Sequence, residues 1–349
     1  MKQFRYPVSD PREWDAMRRM SPLRRLALRL RDARYRRRAA SVEGVALSPL
    51  GAPPRPLSGA DLPLVCVVRN AGRYVASFLA HYRRLGVTRF AIVDDGSDDG
   101  TREFLLAQAD VDLFGSNVSY ARSCMGRIWH DMLFDLLGRD RWYVNVDADE
   151  FLLFPDCETR GLRAFIADLE AHGAKRALAP MLDLYPPGRL ADGVFDPARH
   201  EKPSDVSSLI DGGGYAARVE KISLSIRGGP RTRLFGSEIR MTKFPVVFVD
   251  ARTQENGASI HGPLPLERNF TAPSAVLLHY KFSSESVREF QRYVEEGEHF
   301  GGAVFYREIT QNSAFTPDLS LAYEGSIPVG PSMEFVRRGF MEDLRARAI

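Results

Sequence analysis

"LPLVCVVRNAGRYVASFLAHYRRLGVTRFAIVDDGSDDGT", residues 62–101, sets two unlike periodicities side by side. Its first seven residues are a continuous apolar run, the pattern of a strand buried on both faces. Over residues 72–85 the apolar positions recur at helical spacing, and Gly86 stands where such a helix ends. "RFAIVDD" then returns to strand character. A buried strand, an amphipathic helix and a second buried strand make a βαβ unit, which requires a parallel sheet.

The alternation continues outward from there. Gly100 to about Gln108 predicts a short helix, "VDLF" a third strand, residues 122–137 a helix and "WYVNVD" a fourth strand. Ligands of such α/β sheets bind beyond the carboxyl ends of the strands. The polar clusters fall at those ends: Arg69-Asn70, Asp94-Asp95 and Asp147 through Glu150. After residue 155 the pattern loosens into a helix (160–171), a strand (175–181) and a Gly/Pro-rich middle. Later strands are expected near 243–249 and 275–281, with a helix at 285–296.

Composition bounds the classes. The 349 residues are 44% hydrophobic and 27% charged, ordinary for a globular protein with a well-filled core. No apolar run is long enough to cross a bilayer, and the N-terminus lacks a secretory-signal pattern. Three cysteines, Cys66, Cys124 and Cys157, fit neither a disulfide framework nor a zinc site, so a cytoplasmic setting is expected. The net charge of +3 hides an asymmetry, because residues 18–38 hold ten Arg against one Asp. In that stretch Leu23, Leu26, Leu30 and Ala33 recur at helical spacing. Such a helix suits the anionic inner face of a cell membrane, with a packing helix as the plainer alternative. Residues 47–63 read as a Pro/Gly linker, and no nucleic-acid-binding motif accompanies the basic segment. The expected division is a basic arm and linker (1–60), a main domain (61–310, halved at 155/156) and a C-terminal tail or helix (311–349).

"YVNVDADEFLLFP", residues 143–155, places three carboxylates inside an apolar run. Buried like charges are costly unless something neutralises them. On an extended segment Asp147 and Asp149 share a face and Glu150 takes the other. Two oxygens aimed at one point suit Mg²⁺ or Mn²⁺. In "IVDDGSDDGT", Asp94 and Asp95 end a strand and can accept hydrogen bonds from ribose hydroxyls or a base N–H, while Ser97 or Asp98 can cap the next helix. An EF-hand reading from Asp95 fails, because the twelfth position is Leu106 and a strand precedes the loop. Neither a dinucleotide fingerprint nor a P-loop is present. Arg227, Arg231 and Arg233 beside paired glycines offer an anion-binding turn. In "LLHYKF", His279 and Lys281 share one strand face, as a metal ligand and a phosphate partner could. His261 lies in a loop.

Taken together these residues resemble a glycosyltransferase of the GT-A fold, of the family-2 type. The resemblance runs through "VVRNAGRYVASFLAHYRRLGVTRFAIVDDGSDDGT", "WYVNVDADEFL", "MLDLYPPG", "GGPRTRLFG", "KFPVVF", "LLHYKF" and "GEHFGGAVFYRE", in order across residues 62–310. Ala71 departs from it, since many relatives carry Glu after the Arg-Asn pair. The resemblance implies a Rossmann-like, mostly parallel sheet with helices on both faces and a nucleotide-diphosphate sugar as donor. It implies that Asp94 and Asp95 hold the nucleoside and that Asp147 and Asp149, with a cation, hold the diphosphate; Arg69, Asn70, Arg231 and Lys281 are further candidates for donor binding. Asp147, Asp149 and His279 would hold Mn²⁺ or Mg²⁺, and the sugar would pass with inversion to a hydroxyl of a glycan, lipid-linked or protein acceptor in bacterial surface polysaccharide or glycoconjugate synthesis. Asp183 is the first choice as catalytic base because it follows a predicted strand, with Glu150 and His261 as alternatives. Two competing functions are a phosphohydrolase using the Asp-x-Asp motif and a non-catalytic membrane-surface module.

Overall fold

The computed structural model describes residues 2–39, 41–256 and 261–347. Its centre is a nine-stranded sheet: β1 (Leu47–Pro49), β2 (Pro63–Val68), β3 (Arg89–Asp94), β4 (Val111–Ser116), β5 (Arg141–Asn145), β6 (Glu150–Leu153), β7 (Arg176–Asp183), β8 (Thr242–Val249) and β9 (Val276–His279). The order across the sheet is β1-β4-β3-β2-β5-β8-β7-β9-β6. β2 pairs in parallel with both β3 and β5, β3 with β4, and β9 with β7. β8 runs antiparallel between β5 and β7, and β1 and β6 are antiparallel at the edges. The fold is thus α/β with a mostly parallel sheet, as the βαβ reading required. The strand order reverses at β2, so a crevice opens at the carboxyl ends of β2 and β5.

Alternation along each strand explains the two-sided burial. Leu64, Cys66 and Val68 of β2, with Phe90 and Ile92 of β3, join the core on one face. There they meet α2 (Val75–Leu85; α1 is described below) through Val75, Phe78, Leu79, Tyr82 and Leu85, spaced i, i+3, i+4, i+7 and i+10. Val65, Ala91, Val93 and Tyr143 face the other way, onto Trp129, Leu133 and Phe134 of α3 (Arg127–Leu137). Gly86 closes α2 with φ 99°, a left-handed conformation that a side chain resists. α3 starts five residues later than the periodicity predicted, because Cys124 and Met125 adopt positive φ in the turn before it. In the second half α4 (Leu162–Ala171) and α5 (Ser286–Glu296) match their expected spans within two residues.

The expected arm and tail are not separate bodies. Gln3–Tyr6 forms a strand paired with Tyr215–Val219, which pairs in turn with Leu224–Arg227. Phe4, Tyr6, Trp14 and Met17 share one core with Phe335, Phe340, Met341 and Leu344 from the C-terminal segment. The Tyr6 hydroxyl donates to the Phe340 carbonyl, and Val8 N donates to Gly339 O at 2.9 Å. Part of the expected linker is β1, paired with β4. The basic helix exists as α1 (Pro22–Arg38), capped by the Ser21 hydroxyl accepting from Arg24 N. It packs on the body by a side other than the leucine stripe. Leu28 sits among Ile222, Leu264, Leu266 and Phe270, and Asp32 accepts from Leu266 N at 2.9 Å. Leu23, Leu26, Leu30 and Ala33 all face away from the body.

Candidate functional site

Every polar cluster singled out in the sequence lies at the carboxyl end of the sheet, on or beside β2, β3, β5, β7 and β9. Because β8 is antiparallel, its first residues reach the same end and bring Lys243 there.

At β2 and β3, two loops are stapled together. Asn70 N donates to Ser97 Oγ and Asn70 Oδ1 accepts from Asp98 N, at 2.9 and 3.0 Å. Ala71 N reaches Thr101 Oγ1, and Gly72 N reaches Asp99 Oδ2, both at 2.9 Å. Asp94 accepts from Ser97 N (3.1 Å) and from Arg102 Nε (2.7 Å), with its side chain fully buried. Asn70 and Asp94 are therefore engaged in holding these two loops together. Asp99, rather than Ser97 or Asp98, accepts from the Thr101 amide at the next helix start. Asp95 takes no part in these loop bonds, and its side chain is partly exposed. Burial pushes its carboxyl up to about 6, against the pull of Arg69 at 3.9 Å. Arg69 also reaches Glu296 at 3.3 Å, across to the end of α5.

The acid run does not continue as a strand. Glu150 N donates to Asp147 O (3.1 Å), and Glu150 Oε2 accepts from Asp147 N (3.0 Å), so residues 147–150 form a closed turn. The expectation that Asp147 and Asp149 share a strand face, with Glu150 opposite, is corrected by this turn. Asp147 leans onto Lys243 Nζ at 2.5 Å, and the fully buried Glu150 is 3.0 Å from the same ammonium. Asp149 turns the other way, with Oδ2 at 3.4 Å from His279 Nε2 and 3.3 Å from Lys281 Nζ.

Behind His279 stands a second shell of charge. Its Nδ1 is 2.7 Å from Asp183 Oδ1, and Asp183 accepts two bonds of 2.7 Å from Arg231. Asp183 is fully buried and saturated, which fits it to orienting His279 and leaves no lone pair directed at an acceptor. The anion-binding turn expected around Arg227, Arg231 and Arg233 is likewise committed, to Glu220, Asp183 and Asp211.

Charge pairing sets the protonation of the cluster. Burial raises Asp149, yet Lys281 and His279 outweigh it and hold the carboxyl well below the usual range. For Asp147 burial is again opposed, here by Lys243, and the net shift is down. Glu150 goes the other way, pushed up to about 7 by burial that Lys243 only partly offsets. In His279 burial lowers and Asp149 with Asp183 raises, leaving it above its ordinary value. Arg231, Lys243 and Lys281, with His279 among them, thus face three aspartates and Glu150.

Beside Asp147 a small recess is lined by Val67, Tyr120, His130, Asn145, Lys243 and Glu255. Burial holds Glu255 up at about 7, helped by Asp131, and Asn145 donates to it at 3.1 Å. His261 bonds Thr242 O at 2.7 Å, and burial presses its imidazole down to about 3. Lys243 and Glu255 carry no motif of their own. Only the position of "KFPVVF" at the start of a late strand hinted at the first.

Among the described residues no three His, Cys, Asp or Glu side chains converge as a metal requires. Two donors do fit a cation. Asp149 Oδ2 and His279 Nε2 face each other, and Asp183 takes the other ring nitrogen, the arrangement that orients metal-ligating histidines. Asp147 would have to leave Lys243 to join them.

No protein-family model matches the chain, and no curated protein matches its sequence. Solved structures with some likeness include a 4-diphosphocytidyl-2C-methyl-D-erythritol synthase (TM-score 0.31, 13% identity, 63% of this chain and 89% of that one). A putative glucose-1-phosphate thymidylyltransferase from Bacillus anthracis gives 0.28 at 10% identity, covering 54% and 72%. A UDP-glucose pyrophosphorylase from Acinetobacter baumannii gives 0.25 at 8%, covering 80% and 92%. Superpositions this loose carry no argument about chemistry, so the functional reading rests on the site.

Proposed function

We propose that the protein transfers a glycosyl group from a nucleotide-diphosphate sugar to an acceptor hydroxyl. The observation that carries this reading is the convergence of an acid–arginine pocket (Asp95, Arg69) and a lysine-rich acid cluster at the switch point of a mostly parallel sheet. The first suits a nucleoside. The second offers Lys243 and Lys281 to a diphosphate, each drawn from an acid that can release it. The motifs resembling family-2 enzymes of the GT-A fold point the same way.

In the step itself the acceptor oxygen bonds to the anomeric carbon as the bond from that carbon to the diphosphate oxygen breaks, inverting the centre. Lys281 and Lys243 stabilise the charge gathering on the departing diphosphate. A divalent cation held by Asp149 and His279 would add Lewis-acid stabilisation at the same oxygens. Asp183 and Arg231 keep the His279 ring in place. The acceptor proton goes to a carboxylate, and we assign it to Glu255, which borders the recess and sits near 7, where a general base works best.

The test is calorimetric titration of nucleotide sugars with and without Mn²⁺, followed by turnover assays. Glu255→Gln is expected to lower kcat by ~10²-fold or more while leaving donor affinity within about twofold. Failure of every nucleotide sugar to bind, with a nucleoside triphosphate and a sugar phosphate consumed instead, would overturn the assignment.

A further inference from the structure

The strongest feature outside the site is the outer face of α1. Among the described residues ten large apolar side chains are exposed, and three of them, Leu23 (81%), Leu26 (56%) and Leu30 (67%), fall within eight residues of this helix. At about 100° per residue, Leu23, Leu26, Ala27 and Leu30 span an arc of about 100°, opposite Leu28 and Asp32 on the packed side. Arg34, Arg37 and Arg38 continue the same outer arc through the last turn.

Charge frames the leucines on both flanks. One flank is an open groove of ≈ 320 Å³ whose lining includes Arg24, Arg31 and Lys221. Arg24 and Arg31 donate to the backbone carbonyls of Glu220 and Lys221, which keeps both guanidinium groups at the groove without neutralising them. On the other flank is Arg29. Arg34, Arg37 and Arg38 have no acidic partner among the described residues, whereas many arginines elsewhere in the chain are paired. An apolar strip ringed by unpaired cations is the pattern of a helix lying in a bilayer interface. The helix inverts the usual free arrangement: its polar residues grip the protein, so the strip is held outward and needs no refolding to reach lipid.

We propose that α1 docks the protein on an anionic lipid bilayer, with Leu23, Leu26 and Leu30 among the acyl chains and the three unpaired arginines of the outer arc, Arg34, Arg37 and Arg38, at the headgroups. Charge selects this occupant. A second copy would bring a helix of like charge, +9 over residues 18–38, against the first. A nucleic acid would meet the arginines and leave three leucines in water. The inference is independent of the glycosyl-transfer reading, since it involves none of the site residues.

The test is co-sedimentation of the full chain with vesicles of phosphatidylcholine alone and of phosphatidylcholine mixed in equal parts with phosphatidylglycerol. Binding is expected to the anionic vesicles, at least tenfold tighter than to the neutral ones, and to weaken with added salt. The triple variant Leu23→Glu/Leu26→Glu/Leu30→Glu is expected to lose at least a hundredfold in vesicle affinity, as each leucine withdrawn from lipid forfeits about tenfold. Its unfolding temperature should match wild type, because all three side chains are exposed. Replacing Arg34, Arg37 and Arg38 by Gln should remove the preference for phosphatidylglycerol. Vesicle binding retained by the leucine variant would overturn the proposal. So would binding to duplex DNA or RNA without binding to vesicles, or a wild-type dimer that the leucine variant dissolves while neither form binds lipid.

Discussion

Lys243→Met should unfold more easily, and by an amount that depends on pH. The ammonium lies 2.5 Å from Asp147 and 3.0 Å from Glu150, and its side chain is 10% exposed. Met keeps most of the volume and removes the charge. At pH 8 the fully buried Glu150, ionised in the wild type, would then lose its counter-charge and be driven to take up a proton, a further loss of ~1–2 kcal/mol beyond the pairing with Asp147. At pH 5 the same carboxyl is protonated, since burial holds it near 7. What remains lost there is the pairing with the more exposed Asp147, worth ~1–2 kcal/mol. The sign follows from proton binding. A carboxyl that titrates near 7 when folded and 4.5 when unfolded takes up a proton on folding between those values, so stability falls as pH rises through that window, by ~3 kcal/mol in all. Removing Lys243 moves the folded value further up and steepens the fall. Urea unfolding at pH 5 and pH 8 reads this directly, as a midpoint shift of ~1 M at pH 8 and about half that at pH 5. Adding Glu150→Gln should restore most of the further loss at pH 8, because a neutral amide needs no counter-charge. Equal destabilisation at both pH values, or a loss below ~1 kcal/mol at pH 8, would refute the reasoning.

Two further outcomes test the rest of the site. In Asp149→Ala the His279 imidazole, followed by NMR across pH, should titrate lower than in wild type, since Asp149 is the principal charge holding it up against burial; an unchanged value would mean that Asp183 alone sets it. Donor turnover in the same variant should fall ~10²-fold or more. For Asp95, affinity for a nucleoside diphosphate should be full above pH 6 and decline below it, as the carboxylate near 6 takes a proton and accepts hydrogen bonds less well. Asp95→Asn should bind about tenfold more weakly and lose that pH dependence in calorimetric titration.

The βαβ alternation was legible because β2, β3 and β5 are buried on both faces and α2 on one, so each period is written into the residues. The polar ends of the strands could be read for the same reason. What escaped was anything created by contact between distant segments. The charge of the acid run is cancelled by Lys243 and Lys281, 96 and 132 residues beyond their partners, and no local pattern announces such a meeting. Asp183 looked like a free carboxylate at a strand end until Arg231 came to lie against it. The 147–150 turn was missed because Glu150, an ordinary strand flank by composition, bends back to its own backbone. On α1 the helical periodicity was legible, whereas the contact that holds the helix, Leu28 with the Asp32 bond to Leu266, follows no pattern of its own.

The clasp between the two ends of the chain bears on how the protein is made. The strand Gln3–Tyr6 is made some two hundred residues before its partner Tyr215–Val219, and the Tyr6 hydroxyl waits for the Phe340 carbonyl. Early domains of a nascent chain can fold as they emerge; here Phe4, Tyr6 and Trp14 stay without their core neighbours until Phe340, Met341 and Leu344 arrive. This core therefore cannot close until residues 340–344 have been made, and an expression fragment that stops at residue 310 would carry an exposed aromatic cluster for chaperones to hold.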